Sequence, residues 1–399
     1  MKTDQSPIST ANRFQRIALI VGLVGLIMGG IGALTGSLDR FFQAYLFAFM
    51  FWLGLSLGSL AFLMIHFVTG SRWGLTLRRV NEAAASTLWM MAILFIPLLF
   101  NLRGLYVWAR PEAVQASAIL QQKSLYLNGP FFIIRAVIYF AIWILLAFTL
   151  NRLSARWTAS GDLAIKRQLQ SWGAFGLILY TLTITFASID WLMSLEPFWN
   201  STVYGLMIIL GQLLSSLAFS ILIINWVPGL GLGRQWNMRS TPIPFKDLGA
   251  LLLTFVMGWA YLAYFQLLII WAGNIPHEVT WYINRTQGGW LVVGILVAIF
   301  QFALPFVVLL STRVRHNLRI LAWLGASIVL VYLVNLYWQV IPAFYPGRFN
   351  LHWLDFVLPI GLGGLWLGVF LSALKKRPAL REVEQESLEI PASHERAVS

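Results

Sequence analysis

The chain has 399 residues, 59% of them hydrophobic and 11% charged, with a formal net charge of +13 and no cysteine. A soluble domain carries about 25% charged residues, so a water-soluble fold is excluded. The basic residues lie between apolar runs rather than on one polar face, which argues against a nucleic-acid surface.

Read in chain order, a polar segment 1–14 leads into ten apolar runs, near 15–36, 41–68, 83–102, 131–151, 172–195, 202–227, 248–272, 288–311, 319–341 and 354–374. Each is long enough to cross about 30 Å of hydrocarbon as a helix. The runs are continuous rather than alternating, unlike the strands of a membrane barrel. The fold class expected is therefore an all-α integral membrane protein with a ten-span domain, 15–374. The first run follows Arg13 and Arg16, as in a signal peptide, but the stretch from Ile17 to Thr35 exceeds the roughly 7–15 residues of a signal core. It is read as a retained span. Residues 103–130 include RPEAVQASAILQQKS, which predicts a short surface helix, and 273–287, GNIPHEVTWYINRTQ, form a second rich loop. Spans 2–5 and 6–9 could form two four-helix bundles as a parallel repeat, flanked by spans 1 and 10. Residues 375–399 form the tail, and from Pro378 to Ser399 it is charged and short of aromatics, predicting a mobile segment.

Of the 28 Lys and Arg, 21 fall on the side that holds the N-terminus, six on the other, and Arg135 lies within a span. The positive-inside rule makes the first side cytoplasmic and puts both termini there.

The missing cysteines exclude disulfides, thiolate-held iron–sulfur clusters and covalently attached c-type haem on this chain. Of the histidines His66, His277, His316, His352 and His394, only His66 falls clearly within a span. One buried histidine cannot supply opposed axial ligands for two haems. No metal-ligand cluster and no phosphate-binding glycine loop is present; Gly54 and Gly58 suit close helix packing. The isolated chain is expected to bind no haem and no cluster.

A short set of ionisable groups in the spans is left: Arg135, Asp190 and Asp355 near outer ends, His66 and Glu82 near inner ends. Such groups cost about 2.5–3.5 kcal/mol or more at a bilayer centre and are functional candidates by default. Asp190, Glu196, Asp355 and His352 would form an outer proton exit, and His66 and Glu82 an inner intake. Arg135 and Asp190 have matching depths, so a plain structural ion pair stands beside that reading. Thr183, Asp190 and Ser194 share one helical stripe, and Thr181, Thr185 and Ser188 a second. These hydroxyls could hold a water chain or bond back to their own helix. Tyr261, Tyr264 and Gln266 could line a quinone pocket or bond across helices. His277, Glu278, Trp281, Tyr282 and Arg285 are candidates for partner docking, the alternative being an interfacial aromatic belt.

Two stretches, SIDWLMSLEPFWNSTVYG and FQLLIIWAGNIPHEVTWYINR, resemble the smaller ten-span membrane subunit (ActF) of alternative complex III, a bacterial quinol:electron-acceptor oxidoreductase. This subunit lies within the wider class of NrfD-like, polysulfide-reductase-like membrane anchors. The resemblance covers essentially the whole chain. It implies two four-helix bundles with flanking spans, a bacterial inner-membrane location, and three kinds of partner. These are a paralogous NrfD-like quinol-binding subunit, a periplasmic iron–sulfur subunit and multihaem c-type cytochromes. It also implies that the quinol, iron–sulfur clusters and haems sit on those partners, leaving this chain as scaffold and proton-conducting subunit. The alternative is a stand-alone ten-span secondary transporter, which the ten spans and the possible repeat fit.

Overall fold

The computed structural model describes residues 7–228, 230 and 245–377, with side chains from residue 10 onward. Lys2, Arg234, Arg239 and the tail beyond Arg377, all used in the charge count, lie outside the described residues.

Seventeen α-helices follow in order among the described residues: α1 (Pro7–Thr35), α2 (Leu38–Thr69), α3 (Arg72–Ala85), α4 (Leu88–Phe95), α5 (Leu102–Leu105), α6 (Pro111–Ala116), α7 (Ala118–Lys123), α8 (Gly129–Ser160), α9 (Leu163–Trp191), α10 (Tyr204–Trp226), α11 (Phe245–Gly273), α12 (Pro276–Thr286), α13 (Trp290–Val297), α14 (Leu304–Leu310), α15 (Thr312–Arg315), α16 (Leu318–Val340) and α17 (Leu354–Lys375). Ten segments are long and apolar enough to cross a membrane, and no strand occurs among the described residues. Span 3 is Arg72–Leu105, a run of α3, α4, a 3-10 stretch at Ile96–Asn101 and α5. Span 8 is α13 and α14 joined by a π-helical segment, Ala298–Ala303.

Local sequence explains where these helices start and stop. Asn128 accepts from the Phe131 amide at 2.9 Å, Asp162 from the Ala164 amide at 2.8 Å and Asn317 from the Arg319 amide at 3.0 Å. Each side chain satisfies an amide that has no partner within its own helix. Gly70 and Gly161 end α2 and α8 in the left-handed region, at φ 62° and 69°, where a Cβ would be strained.

The helices form two four-helix units. In the first, α2 packs on α3 and α9, and α8 on α9; in the second, α10 packs on α11 and α16, and α13 on α16. The first helices of the two units, α2 and α10, face each other and are almost fully buried. The last helix of each unit also touches the first helix of the other, α9 on α10 and α16 on α2, so the packing pattern survives exchange of the units. Gly58 of α2 lies against the Gln212 carbonyl and the Ser216 hydroxyl of α10, so any side chain there would separate the two helices. Helix α1 pairs with α17 through glycines: a Cβ on Gly22 would fall 2.5 Å from the Leu365 nitrogen, and one on Gly25 2.7 Å from the Gly361 Cα. Small residues at such a crossing let the backbones approach, since in lipid dispersion rather than hydrophobic burial holds helices together.

The two rich outer loops are folded. The expected surface helix within 103–130 is two short ones, α6 and α7. Residues 276–286, read as a loop, form helix α12, started by Pro276 at its first turn and lying between spans 7 and 8. Its polar and apolar residues alternate at helical spacing, a pattern masked by its shortness.

Candidate functional site

Asp190 stands at the last turn of α9, one residue before the helix ends at Trp191, and is 0% exposed. It is buried by covering side chains rather than by depth alone. Trp191 packs against Phe95, Tyr139, Phe140 and Trp143, and Tyr126 and Phe131 close over the pair from outside. Arg135, six residues into α8, meets Asp190 with two parallel bonds, Nε to Oδ2 at 2.8 Å and Nη2 to Oδ1 at 2.9 Å. This fork geometry is the strongest form of such a pair. Its third nitrogen, Nη1, donates to the Tyr126 carbonyl at 2.9 Å, and the guanidinium carbon sits 3.9 Å from the Tyr126 ring centroid. The Tyr139 hydroxyl donates to Asp190 Oδ2 at 2.8 Å. The carboxylate therefore accepts three side-chain bonds. The depth match that suggested pairing holds, and Arg135 does not reach to the surface.

Glu196, six residues on, forms a second ion pair. Its Oε1 lies 2.8 Å from Nη1 of Arg285 on α12, and the Arg285 side chain is only 1% exposed. Arg285 also donates to the carbonyls of Trp281 (2.9 Å) and Gln339 (2.6 Å), and its guanidinium carbon lies 3.8 Å from the Trp281 ring centroid. Trp281 stacks on Trp199 at 4.8 Å, and the Ser201 hydroxyl donates to Gln266 at 2.6 Å. The two stretches singled out in the sequence, remote along the chain, thus meet in one cluster at the outer end. Of the five docking candidates, Trp281 and Arg285 point into this cluster and are buried, Glu278 and Tyr282 are half-buried, and His277 is exposed. The amphipathic helix puts the first two on its inner face, which removes them from any docking surface. Burial and the nearby Glu196 act oppositely on Arg285, and burial wins, lowering its proton affinity from the usual arginine value.

Asp355 does not join the exit grouping proposed for it. It pairs with Arg40 of α2 and accepts from the His352 backbone amide at 2.8 Å, while the half-buried His352 ring accepts from the Leu354 amide at 3.3 Å. Its helix packs on α1, α2 and α3, whereas α9 packs on α8, α2 and α10, so α2 stands between Asp355 and Asp190. Arg40 falls one residue before the run expected at 41–68, whereas α2 starts at Leu38 and includes it. The depth argument that matched Arg135 with Asp190 would have matched Arg40 with Asp355, had α2 been started at Leu38.

At the inner end Glu82 pairs with Arg78 at 3.1 Å and Arg377 at 3.3 Å, and the Ser154 hydroxyl donates to its Oε1. Arg377 also donates to the Ser86 hydroxyl at 2.7 Å. This knot ties α3, α8 and the end of α17 together. His66 is buried at the inner end of α2 against Gly74 of α3.

Two alternatives resolve in the quieter direction. Each hydroxyl beside Asp190 turns back to its own helix: Thr181 to Leu177 (2.9 Å), Thr185 to Thr181 (2.7 Å), Ser188 to Thr185 (2.8 Å) and Ser194 to Asp190 (2.5 Å). Thr183 does so to Leu179 at 2.6 Å and also accepts from Trp143 at 2.8 Å. The hydroxyl protons of both stripes are thus committed to backbone carbonyls. The preference arises because a helix carbonyl is always in reach, whatever lies outside the helix. Tyr261 and Tyr264, both 64% exposed, face outward, while Gln266 is buried and accepts from Ser201.

A polar line does run through the centre. Tyr180 donates to Gln212 at 2.8 Å, Ser216 to the Leu55 carbonyl at 3.0 Å and Ser220 to Asn81 at 2.8 Å, all buried between α9, α2, α10 and α3. The sequence offered a signal for it, the serines at 215, 216 and 220 in an otherwise apolar run. Comparison with family models and with curated proteins yields no match to this chain.

Proposed function

We propose that this chain is the smaller ten-span subunit of a quinol-oxidising complex of the alternative complex III type, in a bacterial inner membrane with both termini cytoplasmic. In this reading it is scaffold and proton-conducting subunit, and the quinol, iron–sulfur clusters and haems belong to its partners: a paralogous NrfD-like subunit, a periplasmic iron–sulfur subunit and multihaem cytochromes c. One observation carries it. The two stretches that bear the family resemblance fold into a single outer cluster, joined by Glu196 with Arg285, Trp199 with Trp281 and Ser201 with Gln266. The two stretches quoted for the resemblance, remote along the chain, thus belong to one structural unit.

Within that reading Asp190 is the proton-carrying group. A proton passes if the pair opens and closes, with Glu196 six residues outward as the next carboxylate. Intake at Glu82 and His66 connects through the buried Ser220–Asn81 and Tyr180–Gln212 bonds rather than through the hydroxyl stripes of α9.

The test uses Asp190→Asn, which keeps shape and removes titration. Assembly and quinol oxidation should persist while protons moved per electron fall in sealed vesicles. Unchanged stoichiometry makes the carboxylate a structural partner of Arg135 and no more. A stand-alone transporter is the second reading, favoured by the exchangeable packing of the two units. Purification in mild detergent separates them: co-eluting haem absorbance supports the complex, a colourless homogeneous particle the transporter.

A further inference from the structure

Above the Arg135–Asp190 pair, a cavity of about 240 Å³ opens at the outer face between the end of α7 and the turn after α9. Lys123, Tyr126, Ser194, Pro197, Trp199 and Asn200 supply its polar rim and much of its wall, and no acidic side chain lines it among the described residues. We propose that this cavity is a socket for one carboxylate, the Asp or Glu side chain of a protein docked on the outer face.

Three features carry this. First, two of the cavity's donors are not fully used. The half-buried Lys123 ammonium donates to the Pro197 carbonyl at 2.6 Å and to Asn200 Oδ1 at 3.2 Å. An ammonium has three N–H groups, so one is left over. The Trp199 indole N–H, on a side chain 3% exposed, is buried with no hydrogen-bond partner among the described residues. Unpartnered buried donors are uncommon and costly.

Second, the charge is uncompensated. Each nearby cation other than Lys123 has its carboxylate, Arg135 with Asp190 and Arg285 with Glu196, while Lys123 has none within ion-pair distance among the described residues. Burial pushes its ammonium below the usual lysine range, a displacement that an incoming carboxylate would reverse.

Third, size decides the source. Pockets for whole small molecules run to about 300–1,000 Å³. This one falls below that range and suits a single side chain.

The probe is propionate, the glutamate side chain without its backbone, with propionamide as its neutral isostere. The full chain is purified in mild detergent, washed at high salt to shed extrinsic proteins and returned to low salt. Propionate should raise the unfolding temperature in a saturable way and propionamide should not. Lys123→Gln should raise the half-effect concentration roughly tenfold or more, as loss of a charge-assisted hydrogen bond requires, while Lys123→Arg retains the response. Equal effects of the two compounds, or an unaltered response in Lys123→Gln with circular dichroism intact, overturn the socket. A second arm decides the source. A photo-cross-linking phenylalanine analogue replaces Phe198, exposed beside the cavity, in native membranes. The proposal requires a link to an extrinsic protein that disappears when one Asp or Glu in the linked peptide is changed to Asn or Gln. A propionate response without any such link overturns the docked protein and leaves a free carboxylate as the ligand. Both arms are read on this chain itself, so they stand or fall separately from the complex proposed above.

Discussion

The two four-helix units share one packing scheme and differ in what they bury at their outer ends. In the first, the start of span 4 and the end of span 5 meet through a forked ion pair, Arg135 with Asp190, with Tyr139 bound to the same carboxylate. In the second, the start of span 8 and the end of span 9 meet through neutral groups, the Trp338 indole donating to the Trp290 carbonyl at 3.2 Å. Arg285 is also brought there, and its carboxylate, Glu196, comes from the first unit's end of the chain. A neutral tryptophan contact suffices to close such a unit. The ion pair in the other is thus not needed for the architecture, which is a physical reason to look for function at Asp190.

Breaking the pair on one side gives the largest expected effect. Arg135→Leu leaves Asp190 buried without its cation, which costs about 3–5 kcal/mol. Thermal unfolding should show a large drop, and the double change Arg135→Leu with Asp190→Leu should recover much of it. A double variant as unstable as the single would mean that the pair holds the first unit together after all.

Arg285→Met comes next. It removes the cation from Glu196, which is 16% exposed and can regain water, so the loss should be smaller than for Arg135. The variant should loosen the outer contact between units, read as faster proteolysis in the 196–204 and 274–289 segments with the spans still inserted. This is more selective than exchanging the whole 273–287 segment for a flexible linker, which would also strip Trp281 from the core.

In the neutral unit, Trp338→Phe deletes one hydrogen bond and should cost about 1 kcal/mol, well under the ion-pair variants. A loss equal to that of Arg135→Leu would erase the contrast between the units.

The smallest effect concerns pH. Lys123 lies outside the spans and its proton affinity is lowered by burial, so the unfolded chain binds more protons than the folded one just below the ordinary lysine value. Stability should therefore rise slightly as pH climbs through that window toward 10.5. Lys123→Gln should flatten this rise in the unfolding temperature, and a slope of opposite sign would contradict the burial of the ammonium.

The sequence by itself determined the ten spans, because runs of apolar side chains near 20 residues have only one stable form in hydrocarbon, a helix with every backbone group bonded internally. It also gave Arg135 and Asp190 equal depths on adjacent antiparallel helices, which made their pairing one of two open readings until the packing showed the forked bond. Other features were decided only in three dimensions. The hydroxyls of α9 looked like a water path, but each donates to a carbonyl of its own turn. Trp281 and Arg285 looked like a docking surface, yet a helix of eleven residues turns them inward onto Trp199 and Glu196. Asp355 looked like a neighbour of Asp190, yet α2 separates them and supplies Arg40 instead. Periodicity and depth are properties of one helix and can be read from its residues. Which neighbour a side chain meets depends on how helices remote in sequence are rotated against one another, and only the packed structure sets that.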